Sequence, residues 1–413
     1  MRLLVVTQYF WPEDFRINEL VAELVRRGHD VTVLTGKPNY PGGVVFEEFR
    51  RAPERFSTYA GATVMRAPML ARGTGKLRLL VNYLSFAVSA TVVGAARLAS
   101  KHFDAVFVFE PSPVTVGVPA VVLRALRRWP VAFWVLDQWP ESLAAVGVLR
   151  SPRLLDVVGR IVRAIYTRCD VILSPSRLLV SRIATYCPPG QRIEYFPNWI
   201  ESAYEGAAET PAPEVPLRAG SFNILFAGNI GEAQDFPTIL AAADQLRDRH
   251  DIQWLIVGDG RMASWVREEI ARRNLAGCVR LLGRFPQERM PSFFQHANAL
   301  LVTLKPHSVF AMTAPGKIQS YLAAGRPVLA ALDGEGASVI EEAGAGFAGP
   351  AGDPERLAQN VVRLADLSVA ERARLGANGA AYAAREFNRG ILVERLERWL
   401  QEIARPRMDG TAR

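Results

Sequence analysis

Hydrophobic positions along the chain follow two alternating patterns, and together they predict an α/β fold. Short apolar runs, several of them apolar throughout like parallel strands covered on both faces, alternate with longer segments of helical period. In the first half the predicted strands are residues 3–7, 31–35, 63–67, 105–109, 131–136, 171–174 and 193–196. In the second half they are residues 223–227, 253–257, 279–282, 299–303 and 327–331, and the chain is predicted to be helical after residue 353.

The length of the chain sets the number of domains. At 413 residues it is too long for one hydrophobic core, so two domains are expected. Residues 201–220, rich in Ala, Pro, Glu and Gly, are predicted to link them. The pattern therefore predicts two doubly wound, Rossmann-like domains, residues 1–200 and 221–385, that face one cleft. A last segment, residues 386–413, contains an amphipathic stretch at 391–403.

Charge is distributed unevenly between the two halves. The net charge is +8, but residues 1–200 contain 25 Lys and Arg against 15 Asp and Glu, whereas residues 201–413 contain 24 against 26. A basic half favours an anionic partner surface. No nucleic-acid-binding motif accompanies the charge, so no nucleic acid partner is expected. An anionic membrane leaflet is the better candidate, because the basic half also contains the most apolar segment.

That apolar segment, residues 79–96, is uncharged for eighteen residues and is flanked by Lys76, Arg78 and Arg97. Its length would admit a transmembrane helix. However, the predicted strands on either side belong in one sheet, and a spanning helix would separate them. Two interpretations stay open: a helix that is partly core and partly a membrane-docking surface, or a helix that is simply buried. Three scattered cysteines and no secretory signal indicate a cytoplasmic protein.

Motifs for several common chemistries are missing from the sequence. There is no Asp-x-Asp and no His, Cys or carboxylate cluster with metal-ligand spacing, so no metal or other cofactor is expected. There is no G-x-x-x-x-G-K-[ST] loop, no G-x-G-x-x-G after the first strand and no G-x-S-x-G. A bound diphosphate would have to be neutralised by basic side chains and helix N-termini.

The strongest candidate for an anion site is segment 313–327, in which Pro315 and Gly316 set a turn before a helix that begins at Lys317. A lysine in the first helical turn is unfavourable against the helix dipole unless an anion lies there. A functional role for Lys317 is therefore favoured over that of a solvated lysine. The loop from Gly228 to Gly231 would let backbone approach the same phosphates, although a tight β-turn explains it equally well.

Charged side chains at the ends of predicted strands in the first half are further candidates for a site. Asp137 is either a ligand or general base, or a helix N-cap; for Glu141 the cap role is favoured. Glu110 ends another strand and is a candidate ligand of a bound substrate. Arg16 and Lys37 follow the first two strands, where each either contacts a phosphate or stays solvated.

Six segments together resemble a known family. They are residues 8–13 (QYFWPE), 35–41 (TGKPNYP), 136–142 (LDQWPES), 196–199 (FPNW), 227–234 (AGNIGEAQ) and the helix that begins at Pro315-Gly316-Lys317. Over nearly its full length the chain resembles the retaining glycosyltransferases of family 4, which have the GT-B fold. Within them it is most similar to bacterial enzymes of O-antigen and exopolysaccharide assembly, including the N-acetyl-L-fucosamine transferases.

The resemblance implies that the C-terminal domain binds a nucleotide-sugar donor, by analogy a UDP-sugar, without a metal ion. The residues that it suggests for donor binding are Gly228, Asn229, Gly231, Gly258, Arg261, Arg284, Gly316, Lys317 and Ser320. The N-terminal domain would bind the acceptor, with Arg16, Lys37, Asn39 and Glu141 as candidates. The candidate catalytic residues are Asp137, Glu110 and Lys317. The last helix is expected to cross back to the N-terminal domain.

The sequence departs from the family pattern at the donor site. Ser320 and Met312 stand where the family often has a pair of acids. Asn229 and Gln234 stand where an Arg and a Lys commonly hold the diphosphate. These departures place more weight on Lys317, with Arg261 or Arg284 as helpers.

The expected function is the transfer of a sugar, with retention, from a nucleotide diphosphate to an acceptor linked to undecaprenyl diphosphate. UDP-N-acetyl-L-fucosamine is one candidate donor, and the enzyme would act at the cytoplasmic surface of the inner membrane. Two alternatives stay open. One is a non-catalytic nucleotide-sugar-binding or scaffold protein on the same fold, for which the missing acid pair is the motive. The other is a sugar-nucleotide epimerase of related two-domain architecture.

Overall fold

The structure, a computed structural model, describes residues 1–73, 75–145, 149, 151–204, 210–216 and 218–405. Contacts divide the chain into two units: Met1–Pro197 with the segment from Leu392 onward, and Asn198–Ile391. The predicted linker and the predicted last segment lie partly outside the described residues, at 205–209, 217 and 406–413. Within the linker, Ala212 and Val215 are buried in the core of the second unit.

The first unit is built on an eight-stranded sheet. Its strands are β1 (Arg2–Val6), β2 (Asp30–Thr35), β3 (Thr58–Tyr59), β4 (Ala62–Arg66), β5 (Ala105–Glu110), β6 (Val131–Val135), β7 (Val171–Ser174) and β8 (Ile193–Tyr195). They lie in the order β3-β4-β2-β1-β5-β6-β7-β8, and all pairings are parallel except that of β3 with β4. Strands β5 and β6 are buried along their whole length, which explains their nearly continuous apolar sequences.

Helices connect the parallel strands of the first unit. They are α1 (Arg16–Arg26), α2 (Glu47–Arg51), α3 (Lys76–Arg97), α4 (Gly117–Arg127), α5 (Glu141–Ala145), α6 (Pro152–Tyr166) and α7 (Arg177–Ala184). In α1, Ile17, Leu20, Val21 and Leu24 are buried at helical spacing. Because β1 has β2 on one side and β5 on the other, the strand order reverses there, and ligands of such sheets bind at the carboxyl ends of the strands around that point.

The second unit has a six-stranded parallel sheet in the order β11-β10-β9-β12-β13-β14. Its strands are β9 (Phe222–Ala227), β10 (Ile252–Val257), β11 (Val279–Gly283), β12 (Ala299–Thr303), β13 (Val328–Ala331) and β14 (Gly346–Gly349). The helices that follow in the chain are α8 (Phe236–Gln245), α9 (Ala263–Arg272), α10 (Met290–Phe294), α11 (Ser308–Ala311), α12 (Gly316–Ala323), α13 (Glu335–Ala343), α14 (Pro354–Ala365), α15 (Val369–Glu386) and α16 (Arg389–Ala404). The order of this sheet reverses at β9.

The predicted pair of doubly wound parallel sheets is confirmed, and two strands were missed. Strand β3 has only two residues, too few for a periodic pattern. Strand β14 begins and ends with glycine, a residue that in a sequence more often marks a turn than a strand. A Cβ on Gly346 would lie 1.9 Å from the carbonyl oxygen of Val328 in β13, so glycine is needed there for strand pairing.

Helix α3 contains the predicted apolar segment. The stretch Leu77–Arg97 is long and apolar enough to cross a membrane, with a mean hydropathy of 1.7, and 33% of its most apolar window is buried. Strands β4 and β5, which precede and follow α3, lie in one sheet through β2 and β1, so a helix that crossed a bilayer would separate them. The helix packs on α4, and its large outward side chains stay exposed, among them Leu77, Leu80, Val81, Leu84, Val88 and Val92.

Candidate active site

Asp137 lies in the loop after β6, at the carboxyl edge of the first sheet. Its carboxylate accepts a hydrogen bond from the indole nitrogen of Trp139 at 3.0 Å, and its side chain is half-buried. Because α5 begins at Glu141, Asp137 is too far from that helix to be its N-cap. Of the two predicted roles, the one compatible with this geometry is that of an accessible carboxylate at the sheet edge.

Glu110, the last residue of β5, is fully buried next to the Asp137 loop. Its carboxylate accepts hydrogen bonds from the backbone N–H groups of Leu136 at 3.3 Å and Asp137 at 3.2 Å. Burial raises the pKa of Glu110 well above its usual value, and the negative charge of Asp137 acts in the same direction. The carboxylate supports the loop through one oxygen, and the contact of Glu110 with the acceptor or sugar stays a prediction.

Several buried polar atoms around this loop have no hydrogen-bond partner among the described residues. They are Oε1 of Glu110, both amide atoms of Gln138, Oγ of Ser142 and Oγ1 of Thr115. Buried polar atoms are nearly always paired, so this group is suited to a ligand with several hydroxyl groups. Sequence analysis missed Gln138, Ser142 and Thr115. Only the pairing of β5 with β6 brings the loops that contain them together.

Glu141 links two helices of the first unit. One carboxylate oxygen accepts from the guanidinium of Arg182 on α7 and from the hydroxyl of Tyr186 at 2.8 Å. The other oxygen is buried and has no partner among the described residues. Glu141, Arg182 and Tyr186 line a groove of about 540 Å³. The ion pair leaves one oxygen of Glu141 for the predicted acceptor contact.

Asn39, predicted to bind the acceptor, is fully buried in the loop after β2. Its amide nitrogen donates to the carbonyl of Lys37 at 2.8 Å, and its amide oxygen accepts from the backbone N–H of Arg72 at 3.0 Å. The carboxylate of Glu13 accepts from the backbone N–H groups of Asn39 and Tyr40 at 2.7 Å each. The acceptor role of Asn39 is therefore wrong; it and Glu13, which sequence analysis missed, fix the loop conformation.

Two basic candidates of the first unit lie in the loops at the same sheet edge. Arg16 is the first residue of α1 and is half-buried. Lys37 follows β2, and its side chain lines a pocket of about 600 Å³ together with three arginines. The pocket is basic, so the predicted affinity of Lys37 for a phosphate is compatible with its surroundings.

In the second unit, glycines after β9 and β10 bring two loops into close contact. Gly228 and Gly258 have φ angles of 132° and 147°, a region that favours glycine. A Cβ on Gly258 would lie 1.8 Å from the carbonyl oxygen of Gly228. The next loop residues are also constrained, because a Cβ on Gly231 would lie 2.4 Å from the amide nitrogen of Asn229. Asn229 itself is exposed, at the tip of the loop.

Lys317 is in the first turn of α12, which starts at Gly316 and has no side-chain cap. Its ammonium nitrogen lies 3.7 Å from the ring centroid of Phe226 and is buried without a hydrogen-bond partner among the described residues. A Cβ on Gly228 would lie 2.8 Å from that nitrogen, so glycine makes room for the lysine. Burial lowers the pKa of Lys317 from 10.5 to about 7. An unpaired cation at a helix N-terminus is suited to an anionic ligand.

Other residues of α12 fix the position of this lysine. The hydroxyl of Tyr321 accepts from the backbone N–H of Ala227 at 2.9 Å and donates to its carbonyl at 3.2 Å. This contact, which sequence analysis missed, ties the helix to the end of β9 directly before Gly228. Ser320 is only 5% exposed, and its position does not support the predicted donor contact.

Arg261 and Arg284 are exposed in the loops after β10, which pairs with β9, and after β11, which is the next strand outward. Neither forms an ion pair with another residue in the described ranges. Among the described residues, no group of three or more His, Cys, Asp or Glu side chains could hold a metal ion. Positive groups in or beside this part of the described chain include Lys317, these two arginines, the N-terminus of α12 and Lys305, whose backbone N–H donates to the carbonyl of Ala233 at 2.9 Å.

Two family models match the chain, one in each half. Residues 15–199 match the Glycosyl transferase 4-like domain, and residues 221–366 match Glycosyl transferases group 1. Together the two matches include Asp137 in the first unit and the Gly228 loop and Lys317 in the second.

Two named bacterial proteins are moderately similar to this chain in sequence. WbjE of Pseudomonas aeruginosa, named as a probable glycosyltransferase, is 26% identical over 61% of this chain and 65% of its own length. The match thus spans just under two thirds of that relative. WcaI of Escherichia coli K12, a glycosyl transferase assigned to colanic acid biosynthesis, is 25% identical over 79% of this chain and 82% of its own.

Among solved structures, the Anabaena protein HepE in complex with UDP has a TM-score of 0.70 to this chain at 14% identity. The match covers 97% of this chain and 100% of HepE. At this level of identity the similarity concerns the fold, which is the same through both units.

Proposed function

The chain belongs to the glycosyltransferases with the GT-B fold, and from that membership we propose that it transfers a sugar from a nucleotide diphosphate to a lipid-linked acceptor. One observation carries the proposal: a buried ammonium without a partner among the described residues, at the start of α12 and beside the Gly228 loop. Such a site needs an anion to offset the cost of burying the charge. The diphosphate of a sugar nucleotide is the anion that this family membership suggests.

The chemistry at the donor follows from charge. When the bond between sugar and diphosphate breaks, negative charge develops on the outer phosphate. Lys317 and the backbone N–H groups at the start of α12 would stabilise that charge, and their interaction with it would be strongest in the transition state. Arg261 and Arg284 are exposed nearby to hold the rest of the diphosphate. We propose that no metal ion takes part.

We propose that the acceptor sugar binds in the first unit, at the Asp137 loop. Asp137 would accept the proton of the attacking hydroxyl, while Gln138, Ser142 and Thr115 would bind neighbouring hydroxyl groups. The unpaired polar atoms described above support this assignment. Retention of the anomeric configuration requires no protein nucleophile if the hydroxyl attacks from the face that the diphosphate leaves.

We further propose that the first unit docks on an anionic membrane leaflet through α3 and α6. Besides the α3 side chains, Leu154, Val157 and Ile161 of α6 are exposed by 52%, 50% and 39%. Helix α4 contacts both α3 and α6, so the three helices are neighbours on the unit. Apolar side chains beside a net positive charge match a leaflet of anionic lipid.

The finer identity of the substrates is also a proposal. A UDP-sugar donor is supported by HepE, whose structure contains UDP, and UDP-N-acetyl-L-fucosamine is one candidate. A role in surface polysaccharide assembly is supported by WcaI, assigned to colanic acid biosynthesis. The acceptor would then be a sugar on undecaprenyl diphosphate at the cytoplasmic face of the inner membrane. A screen of nucleotide sugars with membrane extract, followed by mass spectrometry of the lipid products, identifies both substrates.

The decisive variant is Lys317→Ala, assayed with the donor from that screen. Turnover should fall by about 100- to 1000-fold, as when one electrostatic contact to a transition-state anion is removed. The control is Arg267→Ala, which removes an exposed cation from α9 of the same unit and should leave turnover unchanged. Unchanged transfer by Lys317→Ala refutes the assignment. Tight nucleotide binding by the wild type without turnover, or free epimer as product, identifies a binding protein or an epimerase instead.

A further inference from the structure

A groove of about 540 Å³ in the first unit is lined by residues of α5, α6 and α7. Its volume lies within the range of pockets that bind small organic molecules. We call it the Glu141 groove, after the first residue of α5, which lines it. The polar side chains of its lining are Glu141, Asp156, Arg160, Arg163, Arg182 and Tyr186.

Glu141 is held in the groove through only one of its carboxylate oxygens. That oxygen accepts hydrogen bonds from the guanidinium of Arg182 and from the hydroxyl of Tyr186 at 2.8 Å. Burial and the hydrogen bond to Glu141 raise the pKa of Tyr186 to about 12, so its hydroxyl keeps the proton that it donates. The second oxygen of Glu141 is buried without a partner among the described residues. It is therefore suited to accept a hydrogen bond from a ligand.

Helix α6 contributes charged side chains to the groove that are not paired within the described ranges. Asp156 and Arg160 are exposed and form no ion pair with another described residue. Arg163 donates to the carbonyl oxygen of Thr185 at 3.2 Å, through one of its nitrogens. The remaining N–H groups of both arginines and the carboxylate of Asp156 are free to contact a ligand.

The groove does not belong to the exposed apolar surface of α6. At 3.6 residues per turn, the charged groove positions of this helix and its exposed apolar positions are centred more than about 90° apart. The apolar positions are Leu154, Val157 and Ile161. A ligand can therefore reach the groove when the apolar face is covered.

The chemistry of the lining favours a neutral ligand with several hydroxyl groups. An anionic ligand would face the carboxylates of Glu141 and Asp156, and a cationic ligand would face three guanidinium groups. A hydroxyl group both donates and accepts hydrogen bonds, so it pairs equally well with a guanidinium and with a carboxylate. A saccharide places such groups side by side.

The position of the groove makes it a continuation of the proposed acceptor site. Asp137 and Glu141 are four residues apart, so their Cα atoms are separated by at most about 14 Å. Both amide atoms of Gln138, which lies between them, and Oγ of Ser142 are buried without a partner among the described residues. Polar atoms that can bind hydroxyl groups thus extend from the Asp137 loop to the groove.

We propose that the Glu141 groove binds the second sugar of the acceptor, counted from the sugar whose hydroxyl is attacked at Asp137. The inference rests on the proposed function in one respect, the placement of the attacked sugar. It adds that the acceptor carries at least two sugars, of which the second is neutral and rich in hydroxyl groups. An earlier glycosyl transfer onto the lipid carrier must therefore supply the substrate.

The kinetic test varies the length of the acceptor. Lipid-linked acceptors from membrane extract are separated by chromatography into species with one and with two sugars, and transfer to each is measured. The wild-type kcat/KM should be at least about tenfold higher for two sugars than for one, which corresponds to about 1.4 kcal/mol. Arg160→Gln should lose most of this difference, because its KM for the two-sugar acceptor rises.

The control is Arg153→Gln, which removes the same charge from an exposed position of α6 outside the groove and should keep the difference. If Arg160→Gln does not fold, Asp156→Asn repeats the comparison. Equal wild-type kcat/KM for the two acceptors overturns the proposal, and so does an equal loss of the difference in the Arg160 and Arg153 variants.

Nuclear magnetic resonance distinguishes a failure of this inference from a failure of the proposed function. The disaccharide released by mild acid from the two-sugar acceptor is mixed with the full-length protein, and saturation transfer to each sugar ring is measured without any turnover. Saturation of both rings that decreases in Arg160→Gln supports the inference, even where no sugar is transferred. Saturation of fewer than both rings, or equal spectra for the Arg160 and Arg153 variants, overturns it even where transfer occurs.

Discussion

Large apolar side chains that remain exposed are concentrated in the first unit. Nine of them lie on α3 and α6 alone: Leu77, Leu80, Val81, Leu84, Val88, Val92, Leu154, Val157 and Ile161. In the described part of the second unit, only Val369 and Ile391 are exposed in this way. Since both units have the same layered architecture, the difference does not follow from how each core is built, and the proposed membrane contact of the first unit would account for it.

The two units also differ in how exposed their cationic side chains are. In the first unit, Lys37 and three arginines gather around an open pocket beside an apolar helix. In the second unit, Lys317 is buried and enclosed by Phe226 and Gly228, while Arg261 and Arg284 are exposed in nearby loops. Two similar sheets thus carry two different arrangements of positive charge, one around an open pocket and one enclosed.

Gly258→Ala should have the largest effect of the series on stability and UDP binding, and this effect should be limited to the second unit. The new Cβ would lie 1.8 Å from the Gly228 carbonyl at a φ of 147°, so the two loops cannot keep their contact. We expect a loss of about 3–5 kcal/mol in unfolding free energy and no measurable UDP binding. Urea denaturation and calorimetry measure both. Gly277→Ala, where a Cβ meets no atom within 4 Å, is the control, and equal UDP affinity of the two variants contradicts the prediction.

Leu84→Gln with Val88→Gln should weaken membrane binding without affecting nucleotide binding. If both side chains enter the lipid, each substitution loses about 1.5–3 kcal/mol of transfer free energy, so vesicle affinity should fall at least about 100-fold. Flotation with anionic vesicles gives the measurement. Val369→Gln in the second unit, where the valine is 75% exposed, should change nothing. A similar loss of vesicle affinity in both variants would contradict the proposal that only the first unit contacts the membrane.

UDP affinity should depend on pH through Lys317. In the protein without UDP, the pKa of Lys317 is about 7. A bound diphosphate raises that pKa, because its negative charge favours the charged form of the lysine. Above pH 7 the lysine must therefore take up a proton on binding, and affinity should fall by up to about tenfold per pH unit. The phosphate, with a second pKa of about 6, is already fully ionised in this range.

Calorimetry of UDP between pH 7 and 9 measures this slope. In Lys317→Arg the guanidinium stays charged throughout the range, so any remaining affinity should be flat with pH. A flat wild-type profile, or an equal slope in the arginine variant, would show that Lys317 does not meet the diphosphate.

Tyr321→Phe should have the smallest effect of the series. It leaves the backbone N–H of Ala227 unpaired in a buried place, at a cost of about 1–3 kcal/mol in unfolding free energy. UDP should bind several-fold more weakly, since α12 is less firmly tied to β9. Tyr382→Phe, which removes a hydroxyl bonded to the Glu342 side chain, is the comparison. If Tyr321→Phe binds UDP as tightly as Tyr382→Phe, the hydrogen bonds between Tyr321 and Ala227 do not contribute to the UDP site.

Much of the fold could be predicted because parallel buried strands are apolar along their length. Runs such as 131–136 and 253–257 are clear in the sequence, and the structure has strands there. The missed strand β14 shows the limit. Its glycines indicate a turn locally, whereas close approach to the backbone of β13 is what requires them.

The candidate site divides in the same way. Lys317 was predicted from a local rule, a cation in the first turn of a helix, and that rule needs no knowledge of distant residues. The packing of its ammonium on Phe226 was not predictable, because 91 positions separate the two residues in the sequence. Asn39 failed as a substrate ligand for the same reason: its amide has suitable chemistry, but the side chain is buried and already hydrogen-bonded within its loop.

The sequence by itself determined the alternation of strands and helices, the division into two halves and the uneven charge. These properties follow from residue order and composition over short windows. Only the tertiary structure decided which charges are buried, which loops meet and which apolar helix face stays in solvent. Burial and contact depend on strand order, and strand order brings together residues that no local pattern connects.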